Sequence, residues 1–307
     1  MKPPRNEEAL KSPINGNSND MTIIKYNNTQ AVLLIDTSFY VFHRYFATLK
    51  WWEIRITATD PTARLDYSAL HTDEEFIAAF KKHVAADLKK LQKRWSVPLQ
   101  NVMFCIDTPR ADIWRNLIYQ QYKEGRVHNS KFNGGIFPIF YKHLNDLAVH
   151  QLSGSNLEAD DVVYLTSQRL VTEKSVIVIS NDNDYLQMRS DKVEIHNLEP
   201  AAKSNLAKRS TGNPREDLLI KILRGDSSDN ITQVCGKMGE KTAAKLAKLN
   251  DTELLQWASN KSAECLLNFK RNQLLISFEH IPQSLSSAFN AKYTFVGVTP
   301  PVFHKYT

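Results

Sequence analysis

Acidic residues stand at the ends of the most apolar stretches of this chain. AVLLID (31–36) closes on Asp36, NVMFCID (101–107) closes on Asp107, and VIVIS (176–180) runs into NDND, which carries Asp182 and Asp184. LEADD (157–161) supplies Glu158, Asp160 and Asp161, and GDSSDN (225–230) adds Asp226 and Asp229. So many carboxylates cannot share one crevice as bare anions, because repulsion raises their pKa values or drives the site apart. Divalent cations resolve the conflict. An oxygen-only donor set suits Mg²⁺ or Mn²⁺ rather than zinc. A set this large suits two ions about 4 Å apart, of the kind that activates water and braces a phosphoryl transition state.

Simpler explanations of the same acids can be tested by spacing. A calcium loop opening at Asp182 needs an oxygen ligand at its fifth position, glycine at its sixth and glutamate at its twelfth. Those positions hold Leu186, Gln187 and Val193. Acids in a first helical turn complement the helix dipole, which accounts for one acid more readily than for three in LEADD. Glu158 and Asp161, three apart, share a helix face, and Asp160 sits in a turn short enough to reach the same rim. GDSSDN alone reads as a helix C-cap glycine with polar turn residues. Neither a P-loop nor a GxGxxG is present.

The elements that must position these acids alternate. Continuous apolar runs at 31–36, 101–107 and 176–180, with shorter ones at 149–152 and 193–198, predict buried parallel strands. Phe76, Phe80, Val84, Leu88, Leu91 and Trp95 recur at helical spacing and predict a helix over 73–95, with Thr72 and Glu75 as a capping box. Further helices are expected at 112–123, 136–148, 157–171, 214–223 and 240–249. The segment 48–72, with Trp51 and Trp52, is read as a long loop, and the chain beyond 214 as mostly helical. This pattern is an α/β layered domain with a mostly parallel central sheet. In such sheets ligands bind outside the carboxyl ends of the strands, where Asp36, Asp107, Asp182 and Asp184 all lie.

Two basic segments could hold a phosphate backbone. RADIWRNLIYQQYKEGRVHNSK (110–131) carries Arg110, Arg115, Lys123, Arg126 and Lys131 with Tyr119 and Tyr122 between them. As a helix it would grip phosphates and stack bases. In VCGKMGEKTAAKLAKL (234–249), Gly236 and Gly239 flank a turn that feeds a helix N-terminus, with Lys237, Lys241, Lys245 and Lys248 adding charge. That is a helix–hairpin–helix type element, suited to holding a DNA backbone without reading bases.

The 307 residues carry a net charge of +6, with a pI of about 9.0, a balance that favours acidic partners such as nucleic acid. Cys105, Cys235 and Cys265 form no CxxC pair, and an odd count argues against a disulfide framework, so a reducing, intracellular setting is expected. Residues 1–28 are polar, lack the apolar core of a signal peptide and read as a mobile tail; no membrane association is expected.

In this order, LLID, FCID, WRNLIYQQYKEGR, LEADD, ISNDNDYLQ and GDSSDN followed by GKMGEKTA resemble the structure-specific 5′ nuclease (flap endonuclease) family, and within it the phage-type ribonuclease H, a 5′→3′ exonuclease. The resemblance covers about residues 30 to 280. It implies a PIN-like catalytic domain over 29–210 and a helical domain over 211–307 with a helix–three-turn–helix DNA-binding element. It implies Asp36, Asp107, Glu158, Asp160, Asp161, Asp182, Asp184 and Asp229 as metal ligands, with Asp226 in support. Lys123 and Arg115 are implied at the scissile phosphate. Tyr122, Arg126, Gly236, Lys237, Gly239, Lys241 and Lys245 are implied in DNA binding. Two Mg²⁺ ions, replaceable by Mn²⁺, are the implied cofactors, with K⁺ at the glycine turn. The implied substrates are 5′-flap or nicked duplex DNA and RNA–DNA hybrid. A single-strand-binding protein or sliding clamp is the implied protein partner of a monomeric replication or repair enzyme of viral type. The rival readings are a PIN-type ribonuclease, which needs no duplex-binding helical element, and a DNA-binding scaffold without chemistry, which would lack ligands.

Overall fold

In a computed structural model of the chain, the described residues are 21–28, 30–62, 64–126, 129–199, 206 and 209–298. The expected tail therefore lies outside them up to residue 20. Strand β1 (Thr22–Asn27) is followed by β2 (Val32–Asp36), α1 (Thr37–Thr59), α2 (Glu74–Trp95) and β3 (Val102–Ile106). Next come α3 (Arg115–Ile118), α4 (Ile136–Asp146), β4 (His150–Ser153), α5 (Ala159–Leu170), β5 (Val176–Ile179) and β6 (Val193–His196). Helices α6 (Pro214–Arg224), α7 (Glu240–Leu246), α8 (Asp251–Lys261), α9 (Ala263–Ile276) and α10 (Gln283–Lys292) lead to β7 (Tyr293–Val298).

The central sheet has the order β4-β3-β2-β5-β6, every neighbouring pair parallel. Successive side chains point to opposite faces, and both faces are covered. Leu33, Ile35, Phe104, Ile177 and Ile179 join one core with α1, α2 and α4, while Val32, Leu34, Met103, Val176 and Val178 join another with α5 and Phe289 of α10. Burial on both sides is why these strands are apolar throughout instead of alternating. The chain order reverses between β2 and β5, so the carboxyl edge opens a crevice there.

Several expectations need correction. Residues 48–59 are helical, because α1 buries Thr48, Leu49 and Trp52 against the core; the loop begins only at Asp60. Helix α2 is capped by Asp73, whose side chain accepts from Phe76 N at 2.9 Å, not by Thr72. The helix expected over 112–123 shrinks to Arg115–Ile118, since Tyr119 is extended (φ −142°) and turns follow. Residues 22–27, assigned to the tail, form β1, which pairs in parallel with β7, so the chain beyond 214 also ends in a strand. Ile24 and Tyr26 join the core that Phe278, Ile281, Phe289 and Tyr293 enter, so residues 278–298 cover the central sheet and depart from the division expected at 210/211. A third core, built mainly from α6 to α9, includes Ile113 and Tyr122. Cys235 and Cys265 are joined as a disulfide, whereas Cys105 is free and buried.

Candidate active site

The acids converge as the strand order requires. Asp36 ends β2 and caps α1, accepting from Phe39 N at 3.0 Å. Asp107 follows β3 and accepts from Ala159 N at 2.8 Å and Ser38 Oγ at 2.5 Å. Glu158 caps α5, and Asp160 and Asp161 lie in its first turn. Asp182 follows β5 and caps a 3-10 turn over Asn183–Met188 that carries Asp184.

These carboxylates fall into three electrostatic settings. The first is buried and neutralised. Arg115, 1% exposed, donates Nη2 to Asp161 Oδ1 at 2.7 Å and Nη1 to Asp161 Oδ2 at 2.9 Å and to Glu158 Oε2 at 2.8 Å. Trp114 Nε1 donates to Asp161 at 2.9 Å, and Tyr122 OH reaches Glu158 at 3.0 Å and Asp229 at 3.2 Å. Lys123 pairs with Glu158 and lies 3.6 Å from Asp229, which Arg126 also pairs. Burial pushes Glu158 up, but Lys123 and Arg115 outweigh it and hold the carboxyl down at about 2. Burial likewise disfavours the Lys123 ammonium, and Glu158 and Asp229 outweigh it, so its pKa is raised.

The second setting has no direct ion pair. Among the described residues, no Lys or Arg nitrogen forms an ion pair with Asp36, Asp107 or Asp160. Burial and then the neighbouring Asp107 charge push Asp36 up to about 7, although Tyr185 OH donates to it at 3.0 Å. Burial raises Asp107 as well, against its bonds to Ser38 and Ala159. Burial and the Asp161 charge raise Asp160 well above the carboxylate range. The third setting is governed by Lys221 of α6, which pairs with Asp184, reaches Asp226 Oδ2 at 2.9 Å and lies 4.0 Å from Asp182 Oδ1. Burial raises Asp226, but the Lys221 charge wins and its pKa falls below the usual range.

This donor set fits hard divalent cations. It offers only oxygen, it faces one crevice, and its Asp36–Asp107–Asp160 part has no ion-pair partner among the described residues. Glu158, Asp160 and Asp161 each offer an oxygen within 4.8 Å of the others. Of these, Asp161 has both oxygens taken by Arg115 and Trp114 and also accepts from Glu158 N at 3.1 Å, as a capping-box acid does.

The basic segment differs from its expected form. Arg115 and Tyr122 are buried and turned inward, so neither is free to meet a phosphate or a base; they fix the acids in place instead. Lys123 sits in the left-handed region (φ 58°) and donates its N–H to Asp229 O at 2.9 Å, which ties the turn to GDSSDN. Arg126 is exposed at the crevice rim. Gly225 (φ +66°) opens the GDSSDN turn; a Cβ there would meet Ile231 O at 2.3 Å, so only glycine fits. Gly236 (φ +39°) bends the next turn, and Gly239 caps α7. Lys237, Lys241, Lys245 and Lys248 are exposed there, while Met238 is buried beneath them. Sequence reasoning missed Ser38, Trp114, Tyr185 and Lys221. A lysine inside the apolar run LLIKIL was the available signal for Lys221.

Comparison with known proteins gives concordant matches. The family model described as 5′-3′ exonuclease, N-terminal resolvase-like domain, matches residues 31–213. A 5′-3′ exonuclease of Bacillus subtilis (strain 168) is 27% identical over 232 residues, covering 73% of this chain and 72% of its own. The ribonuclease H of Enterobacteria phage T4 is 23% identical over 222 residues, covering 64% of this chain and 70% of its own. In fold, the chain is similar to the flap endonuclease of bacteriophage T5 solved with DNA and metal ions, with a TM-score of 0.57 at 14% identity over 85% of this chain and 96% of that one.

Proposed function

This chain belongs to the 5′-3′ exonuclease family and is a 5′ nuclease, and we propose that it hydrolyses phosphodiesters with Mg²⁺ near junctions between a 5′ single strand and a duplex. Flapped or nicked DNA and RNA–DNA hybrids are the proposed substrates. The observation that carries this reading is the trio Asp36, Asp107 and Asp160, gathered at the strand ends without a basic partner and with every pKa raised. Such a trio is costly in a fold unless cations bind it.

Asp36, Asp107, Glu158 and Asp160 would hold one ion, and Asp182 and Asp184 would serve a second. Bound there, the ions supply Lewis-acid activation of water and charge stabilisation at phosphorus. The chain's own groups do the rest. Arg115 and Trp114 lock Asp161 and the start of α5, which fixes the direction of Glu158 and Asp160. Tyr185 and Ser38 orient Asp36 and Asp107 by donating to one oxygen of each. Lys123 and Arg126, now paired to Glu158 and Asp229, would turn to the scissile phosphate, while the exposed lysines around Gly236 and Gly239 are suited to the duplex backbone.

The test is a 5′-labelled flap duplex, a blunt duplex and an RNA–DNA hybrid, each with Mg²⁺ and with EDTA. Mg²⁺-dependent cutting from the 5′ side near the junction is the expected outcome. Intact DNA with degraded single-stranded RNA would overturn it in favour of a PIN-type ribonuclease.

A further inference from the structure

The two ends of the carboxylate crevice are prepared differently. Asp36, Asp107 and Asp160 have no ion-pair partner among the described residues, whereas Asp184 and Asp226 share the Lys221 ammonium and Asp182 lies 4.0 Å from it. Lys221 is itself enclosed: its side chain is 17% exposed, and its neighbours Ile222 and Leu223 are buried. An ammonium offers three donors and one positive charge, here directed at three acids. A divalent cation needs carboxylate oxygens at about 2.1 Å, so it cannot share Asp184 Oδ1 or Asp226 Oδ2 with the Lys221 ammonium paired to them.

We propose that Lys221 is a positioning residue, a resident countercharge that keeps a divalent cation from the Asp182–Asp184–Asp226 end until a substrate phosphate draws the ammonium away. The inference rests on the nuclease reading above. It makes uptake of the second ion and uptake of the substrate cooperative, because the phosphate offers Lys221 a new anionic partner as the cation arrives. At the first ion site only Glu158 is paired, with Lys123 and Arg115, while Asp36, Asp107 and Asp160 have no ion-pair partner among the described residues.

The experiment is calorimetric titration of substrate-free protein with Mg²⁺ at fixed ionic strength, comparing wild type, Lys221→Met and Lys221→Arg, with Lys221→Gln in reserve should the methionine variant not fold. Wild type is expected to show one stronger and one weaker class of site. Lys221→Met should tighten the weaker class by about tenfold or more, and Lys221→Arg should not. Adding an uncleavable 5′-flap duplex should tighten that class in wild type and have less effect in Lys221→Met. Unchanged or weaker binding in the charge-removing variant would overturn the role of Lys221 while leaving the nuclease reading intact. A wild-type protein that takes up no Mg²⁺ in either class would overturn the nuclease reading itself.

Discussion

Arg115 and Asp161 form a two-armed ion pair at 2.7 and 2.9 Å, with 1% and 0% of their side chains exposed. Removing one partner of a buried pair strands the other charge and costs about 3–5 kcal/mol. Arg115→Ala should therefore lower the denaturation free energy by roughly that amount, as urea unfolding would measure. Arg115→Lys should recover only part, since an ammonium cannot make the two-armed contact. Wild-type stability in Arg115→Ala would refute the structural role.

Asp160→Asn should separate function from stability. Replacing a carboxyl whose pKa is raised by burial and by Asp161 relieves repulsion in the metal-free protein. A gain in stability above pH 7 is expected in EDTA, read as a higher melting temperature than wild type. Cleavage in Mg²⁺ should fall at least ~100-fold, with duplex binding retained in a gel-shift assay.

Asp36 makes metal-free stability fall with pH. Its folded pKa of about 7 lies above the ordinary aspartate value of 3.8, so between these limits the folded state holds more protons than the unfolded state. The associated stability is present below about pH 4 and is lost as pH rises through 7, on the order of 4 kcal/mol. Glu158 works in the opposite sense, but its window lies between about 2 and 4.5 and is closed before that range is crossed. Melting temperatures in EDTA from pH 5 to 8 should decline in wild type and decline less in Asp36→Asn. Mg²⁺ should restore the wild type at pH 8.

The two turn glycines should differ. Gly236→Ala meets no atom within 4 Å and costs only the left-handed backbone, about 1 kcal/mol. Gly225→Ala must also displace the Ile231 carbonyl, so it should be the more destabilising in thermal melts.

Lys241→Ala and Lys245→Ala should weaken duplex binding equally across sequences, and each should reduce the slope of log affinity against log salt by about 1. Sequence-dependent loss would contradict a backbone-holding role.

The five strands of the central sheet, most helices and the acids at the strand ends were legible in the sequence, because a parallel sheet buried on both faces demands apolar runs and directs their ends to one edge. Helix α1 was not, since Trp51 and Trp52 reveal their facing only when α1 lies against α2. The basic segment misled for a related reason. Its residue types suit a solvated cationic helix, yet Arg115 and Tyr122 find buried carboxylates 36 to 46 residues away, and those long-range contacts override local spacing. Sequence by itself determined which residues carry charge and which strand ends they follow. Only the tertiary structure decided which carboxylates are neutralised by Arg115, Lys123, Arg126 and Lys221, and which are left without a counterion, because that depends on distances between side chains far apart in the chain.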